Sequence, residues 1–137
     1  MIGVSACLLG INCKYNGSNN LNLDVVDYIK GKEVVLICPE VFGGLTTPRI
    51  PSEIQANGKI LNEEGLDVTE NFDKGKQITL ELLKKNNCKY VILKDGSPSC
   101  GYRKIYDGSF TNKKIIGQGV TTGYLIKNEI DIIDLKT

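Results

Sequence analysis

The chain has 137 residues, of which 41% are hydrophobic and 24% are charged. This composition is typical of one globular domain with an ordinary core, so we expect residues 1–137 to form a single domain. The 17 basic and 16 acidic residues leave a net charge of +1, which disfavours binding to an extended nucleic acid. No apolar run approaches the length of about 20 residues that spans a bilayer, and the start lacks the basic lead of a signal peptide. We therefore expect a cytoplasmic protein with a small-molecule partner, in an oligomeric state that the sequence leaves open.

Short runs rich in β-branched residues predict four strands. In chain order these runs are residues 2–6, 33–37, 89–93 and 131–135. Apolar residues at helical spacing between the runs predict helices at residues 21–29, 68–87 and 119–128. Strands that alternate with helices and are apolar nearly throughout indicate an α/β fold. We expect a Rossmann-like, mainly parallel sheet of about four strands with helices on both faces.

The segment 39–62 between the second strand and the long helix has little periodicity and is rich in glycine and proline. A loop of this length inside a compact domain is usually functional. We therefore predict that this segment contributes to the site.

Three cysteines follow three of the predicted strands. Cys7 comes just after the first strand, Cys38 just after the second, and Cys100 a short loop beyond the third. The carboxyl ends of parallel strands meet at one edge of the sheet, where open α/β folds bind ligands. We therefore expect these three thiols to share one site.

The residue types leave several interpretations of this site open. The chain has five cysteines and no histidine, which argues against a disulfide framework and against most zinc sites. The alternatives are simple packing of buried thiols, a structural zinc, a thiol nucleophile or redox pair, and an iron–sulfur cluster held by three thiolates with one open iron. Cys13 and Cys88 fit packing, with a spare-ligand or redox role as the alternative for Cys13.

Several motifs in a fixed order make the chain similar to a known family. From about residue 2 to residue 126 the sequence contains SACLLG, CPEVFGGLTTPR, NEEGLDVTENF, LKDGSPSCG and IYDGSF, and together they resemble the thiouracil desulfidases. The resemblance implies a 4Fe–4S cluster with one open iron, held by Cys7, Cys38 and Cys100. It also implies functional roles for Glu40 and Ser97.

The resemblance suggests a non-redox desulfuration of a small thiolated base or nucleoside. In this hypothesis the open iron binds the sulfur of the base, Glu40 activates a water, and Ser97 contacts the ring or the departing group. Relatives often have proline where Thr46 stands and a basic or polar residue where Gly96 stands, which leaves the substrate less defined than the reaction. The alternative from another class is a metal- or cluster-bearing regulatory or interaction module without turnover.

Four further residues carry weaker expectations. Arg49 pairs either with a phosphate or carbonyl of a ligand or with a surface carboxylate. Tyr15 either stacks on a flat base or covers the edge of the core. Asp95 and Glu53 are expected to be solvated charges.

Overall fold

The computed structural model describes residues 1–137 and contains eight strands and four helices. The strands are β1 (Ile2–Ser5), β2 (Val34–Ile37), β3 (Ser52–Ile54), β4 (Ile60–Asn62), β5 (Tyr90–Ile92), β6 (Lys104–Tyr106), β7 (Lys114–Ile116) and β8 (Asp131–Ile132). The helices are α1 (Leu23–Tyr28), α2 (Pro39–Phe42), α3 (Thr69–Lys85) and α4 (Val120–Lys127), and a 3-10 turn covers Ala6–Leu9. None of the helices combines the length and the apolar character needed to cross a membrane.

The central sheet has four strands in the order β2–β1–β5–β8, and every neighbouring pair is parallel. Ile2 of β1 pairs with Val34 on one side and with Tyr90 on the other. The chain therefore leaves β1 toward β2 and later returns to the opposite side of β1 at β5. Such a reversal of strand order is where open α/β sheets form a ligand crevice. The predicted parallel α/β sheet is confirmed.

Side chains of β5 alternate between the two faces of the sheet, as the period of a strand requires. Val91 belongs to a core cluster with Leu83 of α3 and Leu125 of α4. Ile92 belongs to a second cluster with Val25 of α1 on the opposite face. The relative exposure of all five side chains is 0%. Helices therefore cover both faces, as predicted.

Two glycines allow α2 to lie directly against α3. A Cβ atom at Gly75 would come within 2.0 Å of the Pro39 carbonyl oxygen, and one at Gly43 within 2.0 Å of the Asn71 carbonyl oxygen. The Asn71 side chain also donates a hydrogen bond of 2.9 Å to the Gly43 carbonyl. The short helix α2 is thereby fixed in position by the long helix α3.

The segment 39–62 has more regular structure than its sequence predicts. It contains α2 and the antiparallel hairpin of β3 and β4, and a second hairpin, β6–β7, follows the third central strand. These elements have three or four residues each, which is too short for a periodic pattern to be visible. The last central strand is shorter than predicted and includes only Asp131–Ile132.

Candidate active site

A cavity of about 410 Å³ opens at the carboxyl edge of the central sheet. Cys7 lines it from the 3-10 turn that follows β1, and Cys38 lines it from the position just before α2. Cys100 lines it from the loop that follows β5. The structure thus brings together three thiols that lie far apart in the sequence.

Local backbone features place these thiols. Gly10 ends the turn around Cys7 with a left-handed φ of 88°, a conformation that glycine adopts without steric cost. Pro39 occupies the first position of α2 and follows the extended residue Cys38, as is common at helix starts. The Cys100 N–H donates a hydrogen bond of 2.7 Å to Ser97 Oγ. The turn residues in the three motifs therefore shape the loops that present the sulfurs.

Cys13 also lines the cavity, although the sequence favours simple packing for it. Its carbonyl oxygen lies 3.9 Å from Cys38 Sγ. The Cys13 thiol has a single hydrogen, which it can donate to Cys7 or to Cys38, and this contact lowers their pKa values against the effect of burial, while the pKa of Cys13 itself is raised. A thiolate at one of these two residues is therefore favoured within the site.

The other two cysteines are more deeply buried. Burial raises the pKa of Cys100 to about 12, and Ser99 Oγ lies 3.7 Å from its sulfur. A thiol in this environment becomes a thiolate when it binds a metal. Cys88 is 2% exposed and packs in the core with Leu83 and Val91, outside the cavity.

Glu40 lies on α2, two residues after Cys38, and its two carboxylate oxygens have different partners. Arg49 Nε donates to Glu40 Oε1 at 3.1 Å, and both side chains are largely buried, with relative exposures of 8% for Arg49 and 14% for Glu40. Ser99 Oγ donates to Glu40 Oε2 at 2.8 Å. The carboxylate is therefore inside the site and held from two sides.

The two serines of the SPSC motif form a directed chain of hydrogen bonds. Ser97 Oγ lies 3.2 Å from Ser99 Oγ. Because a hydroxyl has one hydrogen and Ser99 gives its own to Glu40, Ser97 must be the donor of this pair. Ser99 is 2% exposed and contacts Glu40 directly, whereas the resemblance pointed to Ser97. The feature of the sequence that could have identified Ser99 is its position as the second serine of the SPSC motif.

Two carboxylates expected to be solvated have structural roles instead. Glu53 is 8% exposed and accepts the backbone N–H groups of Gly108 at 2.9 Å and Phe110 at 3.1 Å. It thereby joins the two hairpins along one wall of the cavity. Asp95 Oδ1 accepts four backbone N–H groups, three from the loop after β5 and one from the first residue of β6. Burial raises the pKa of Asp95, but these N–H groups outweigh burial and lower it overall.

Lys94 is a cavity residue that sequence reasoning missed. Its ammonium group donates a hydrogen bond of 2.8 Å to the Asp95 carbonyl. Burial, and to a lesser degree the nearby Lys114, lower its pKa. The feature of the sequence that could have identified Lys94 is its position directly after the third predicted strand. Tyr15 also lines the cavity and is 42% exposed, so its ring is accessible to a ligand.

The cavity groups are not arranged as a site for one metal ion. No set of three or more Cys, Asp or Glu side chains is grouped to bind a single ion. The cavity therefore does not contain a ready-made site for a single metal ion such as zinc.

A parallel α/β sheet with several thiols, a carboxylate and two hydroxyls at its strand-order reversal defines a protein with a sulfur-lined ligand site. The chain belongs to the 2-thiouracil desulfurase family, which it matches over residues 2–136. It is 41% identical over 150 residues to the uncharacterized protein YbbK of Bacillus subtilis (strain 168), a match that covers 98% of this chain and 99% of YbbK.

A solved structure is also similar to the chain. It is the 4Fe–4S-dependent thiouracil desulfidase TudS, which superimposes with a TM-score of 0.88 and is 40% identical. The match covers 96% of this chain and 88% of that chain. The family predicted from the motifs is therefore confirmed.

Proposed function

We propose that this protein holds a 4Fe–4S cluster through Cys7, Cys38 and Cys100 and uses it to remove sulfur from a thiolated nucleobase. The observation that carries this proposal is the meeting of three thiols from three strand ends with Glu40 in one cavity. The similarity to TudS, a 4Fe–4S-dependent thiouracil desulfidase, supports the same cofactor and reaction.

The donor set fits such a cluster. The site offers soft thiol sulfurs and, in a chain without histidine, no imidazole nitrogen. Three protein thiolates leave one of four irons without a protein ligand. When bound, the cluster supplies a soft Lewis acid for the sulfur of a thiocarbonyl group.

Glu40 is placed to act as the general base, since an ionised carboxylate accepts protons and the chain has no histidine to take this role. It would take a proton from a water as the water oxygen bonds to the thiolated carbon. The C–S bond then breaks, and the sulfur leaves as sulfide with the protons that the water supplied. One water is consumed for each sulfide released, and no electron is transferred.

The serine chain provides a second route for protons at the same site. Ser97 donates to Ser99, and Ser99 donates to Glu40 Oε2. A proton that reaches Ser97 from the substrate side can therefore pass to the carboxylate through one intervening hydroxyl. In our proposal Ser97 contacts the base or the departing group, and Ser99 connects it to Glu40.

The walls of the cavity suit a small planar substrate. Tyr15, Tyr106 and Phe110 line it, and stacking of a base on an aromatic ring typically contributes about 1–3 kcal/mol. A volume of about 410 Å³ is typical of small-molecule sites. We propose a thiolated base or nucleoside as substrate.

We also propose that the protein is located in the cytoplasm. Its five cysteines are unpaired, and the cytoplasm keeps thiols reduced.

Anaerobic reconstitution with iron and sulfide, followed by sulfide release from a panel of 2- and 4-thiolated bases and nucleosides, tests the proposal. We expect a brown protein with about four irons per chain that releases one sulfide for each oxo base formed. Stoichiometric zinc without acid-labile sulfide would overturn the cluster assignment. A loaded protein inactive on the whole panel would favour the regulatory module.

Glu40→Gln separates the base from the cofactor site. This variant keeps a side chain of the same shape but cannot accept the proton, so we expect full cluster content and a loss of turnover of roughly 100-fold or more. Full activity of the variant would show that Glu40 is not the base.

A further inference from the structure

Arg49 is a buried cation whose N–H donors are almost all bonded to other groups of the protein. In addition to Glu40, its guanidinium donates to the Cys13 carbonyl at 2.9 Å, the Thr46 carbonyl at 3.3 Å and Thr47 Oγ1 at 3.1 Å. Together with the contact to Glu40, these bonds occupy four of the five N–H donors of an arginine. The sequence offered a phosphate or carbonyl of a ligand, or a surface carboxylate, as its partner, and the structure gives a buried carboxylate and carbonyls of the protein itself.

These contacts make Arg49 a junction between three segments of the site. It joins the loop of Cys13, the helix α2 that carries Glu40, and its own loop with Thr46 and Thr47. Because the guanidinium is a rigid planar group, its other bonds restrict where it can contact the carboxylate. The position of Glu40 is therefore coupled to the backbone around Cys13.

The two oxygens of Glu40 are consequently not equivalent. Oε1 faces Arg49, and Oε2 faces Ser99, whose hydroxyl lies 3.7 Å from Cys100 Sγ. We propose that Arg49 is a positioning residue that fixes Glu40 so that Oε2, on the Cys100 side, is the oxygen that accepts the proton. This inference rests on the proposed function and adds to it the orientation of the base.

Loss of Arg49 removes the partner of Oε1 and lets the carboxylate rotate away from Ser99. Misplacement of a reacting group by about 1 Å can lower the rate roughly 100-fold. In the proposed site the substrate is held by the cluster, Ser97 and the aromatic walls, and Glu40 acts on the water. The loss is therefore expected in kcat, with little change in KM.

The test compares Arg49→Met and Arg49→Lys with Arg103→Met in the reconstituted protein. Arg103 is the other arginine of the chain and pairs with Asp134 at the surface, with relative exposures of 49% and 39%. We expect Arg49→Met to lower kcat roughly 100-fold, with KM and the iron and sulfide content unchanged. Arg49→Lys should recover part of the loss, because it restores the charge without the planar fork. Arg103→Met should match the wild type.

A double-mutant cycle with Glu40→Gln shows whether Arg49 acts through Glu40. If it does, Arg49→Met should lower kcat much less in the Glu40→Gln background than in the wild type, since coupled residues are not additive. A merely structural role would lower kcat by the same factor in both backgrounds, and this result would overturn the proposal.

Three further outcomes would overturn the role proposed for Arg49 or the proposed function itself. An Arg49→Met variant with wild-type kcat overturns the inference while the proposed function stands. If this variant fails to load the cluster, Arg49→Lys decides, and a loaded Lys variant with wild-type kcat also overturns the inference. A loaded wild type that releases no sulfide from any thiolated base overturns the proposed function, and the inference with it.

Discussion

The cavity thiols have different environments although they share one space. Cys7 and Cys38 share the single hydrogen of the Cys13 thiol, which lowers their pKa values, whereas burial raises the pKa of Cys100. One of these two proposed ligands is therefore favoured as a thiolate before metal arrives, and the remaining thiols lose their protons on binding. The three proposed ligands therefore differ in how readily they lose their protons.

Replacement of the cysteines one at a time tests the ligand assignment. We expect Cys7→Ser, Cys38→Ser and Cys100→Ser each to abolish cluster binding and sulfide release, because each removes one of three thiolate ligands. Iron and acid-labile sulfide per chain are the measurement.

Two other cysteines serve as controls. Cys88→Ala should keep the full cluster content, since Cys88 packs in the core. Cys13→Ala should keep most of it, since Cys13 is not one of the proposed ligands. The metal-free thiol mechanism predicts instead that one cysteine is essential and that the other two tolerate serine.

The two serines of the SPSC motif are expected to differ when each is replaced by alanine. Ser99→Ala removes the donor to Glu40 Oε2. A hydrogen bond to a charged group is worth about 1.5–3 kcal/mol, so kcat should fall roughly 10- to 100-fold with cluster content unchanged. Ser97→Ala should lower both kcat and cluster content, because Ser97 Oγ also accepts the Cys100 N–H. Equal kcat for Ser99→Ala and the wild type would contradict the role given to Ser99.

At the scale of elements, the position of Glu40 depends on the contact between α2 and α3. A helix of four residues is marginal on its own, so its packing on α3 is what keeps it in place. That packing is possible because Gly43 and Gly75 have no side chains at the contact. A glycine inside the long helix α3 is thus part of the geometry of the site.

Gly75→Ala tests this contact, with Gly123→Ala in α4 as the matched control. The added Cβ at position 75 would lie 2.0 Å from the Pro39 carbonyl oxygen, whereas at position 123 the nearest neighbour is 3.8 Å away. We expect Gly75→Ala to lower the free energy of unfolding by about 1–3 kcal/mol and to reduce kcat by moving α2. Gly123→Ala should raise the free energy of unfolding by up to about 1 kcal/mol. Denaturant titration measures both, and equal stability of the two variants would contradict the prediction.

The main elements of the fold were predictable because they are long or apolar enough to show a period. The parallel strands at β1, β2 and β5 and the helix α3 follow directly from such patterns. The hairpins and α2 were not predictable, since three or four residues show no period. Glu53 seemed solvated for a different reason, because its partners Gly108 and Phe110 lie 55 and 57 positions away in the chain.

Prediction of the site was limited in a similar way. The shared place of Cys7, Cys38 and Cys100 followed from strand order and from the topology of parallel sheets. The partners of Glu40 did not, because Ser99 lies 59 positions from it in sequence and no local pattern relates them. The same applies to Cys13, whose neighbours across the cavity depend on how its loop folds back.

For the whole molecule, the proposed cluster is a cross-link between three distant parts of the chain. A group that binds only the folded state stabilises that state. We therefore expect the reconstituted protein to unfold roughly 5–10 °C above the cluster-free protein, as measured by thermal unfolding without oxygen. In Cys100→Ser, exposure to iron and sulfide should leave the unfolding temperature unchanged. A shift of the same size in Cys100→Ser would indicate nonspecific binding.

The register of the central sheet has a consequence for the order in which the protein matures. Ile2 pairs with Val34 and with Tyr90, so the loops of Cys7, Cys38 and Cys100 come together only after strands from both halves of the chain have joined. Such long-range pairing is the slow part of folding. A nascent or unfolded chain therefore offers the three sulfurs separately. We therefore expect the proposed cluster to bind late, after the strands of both halves have paired.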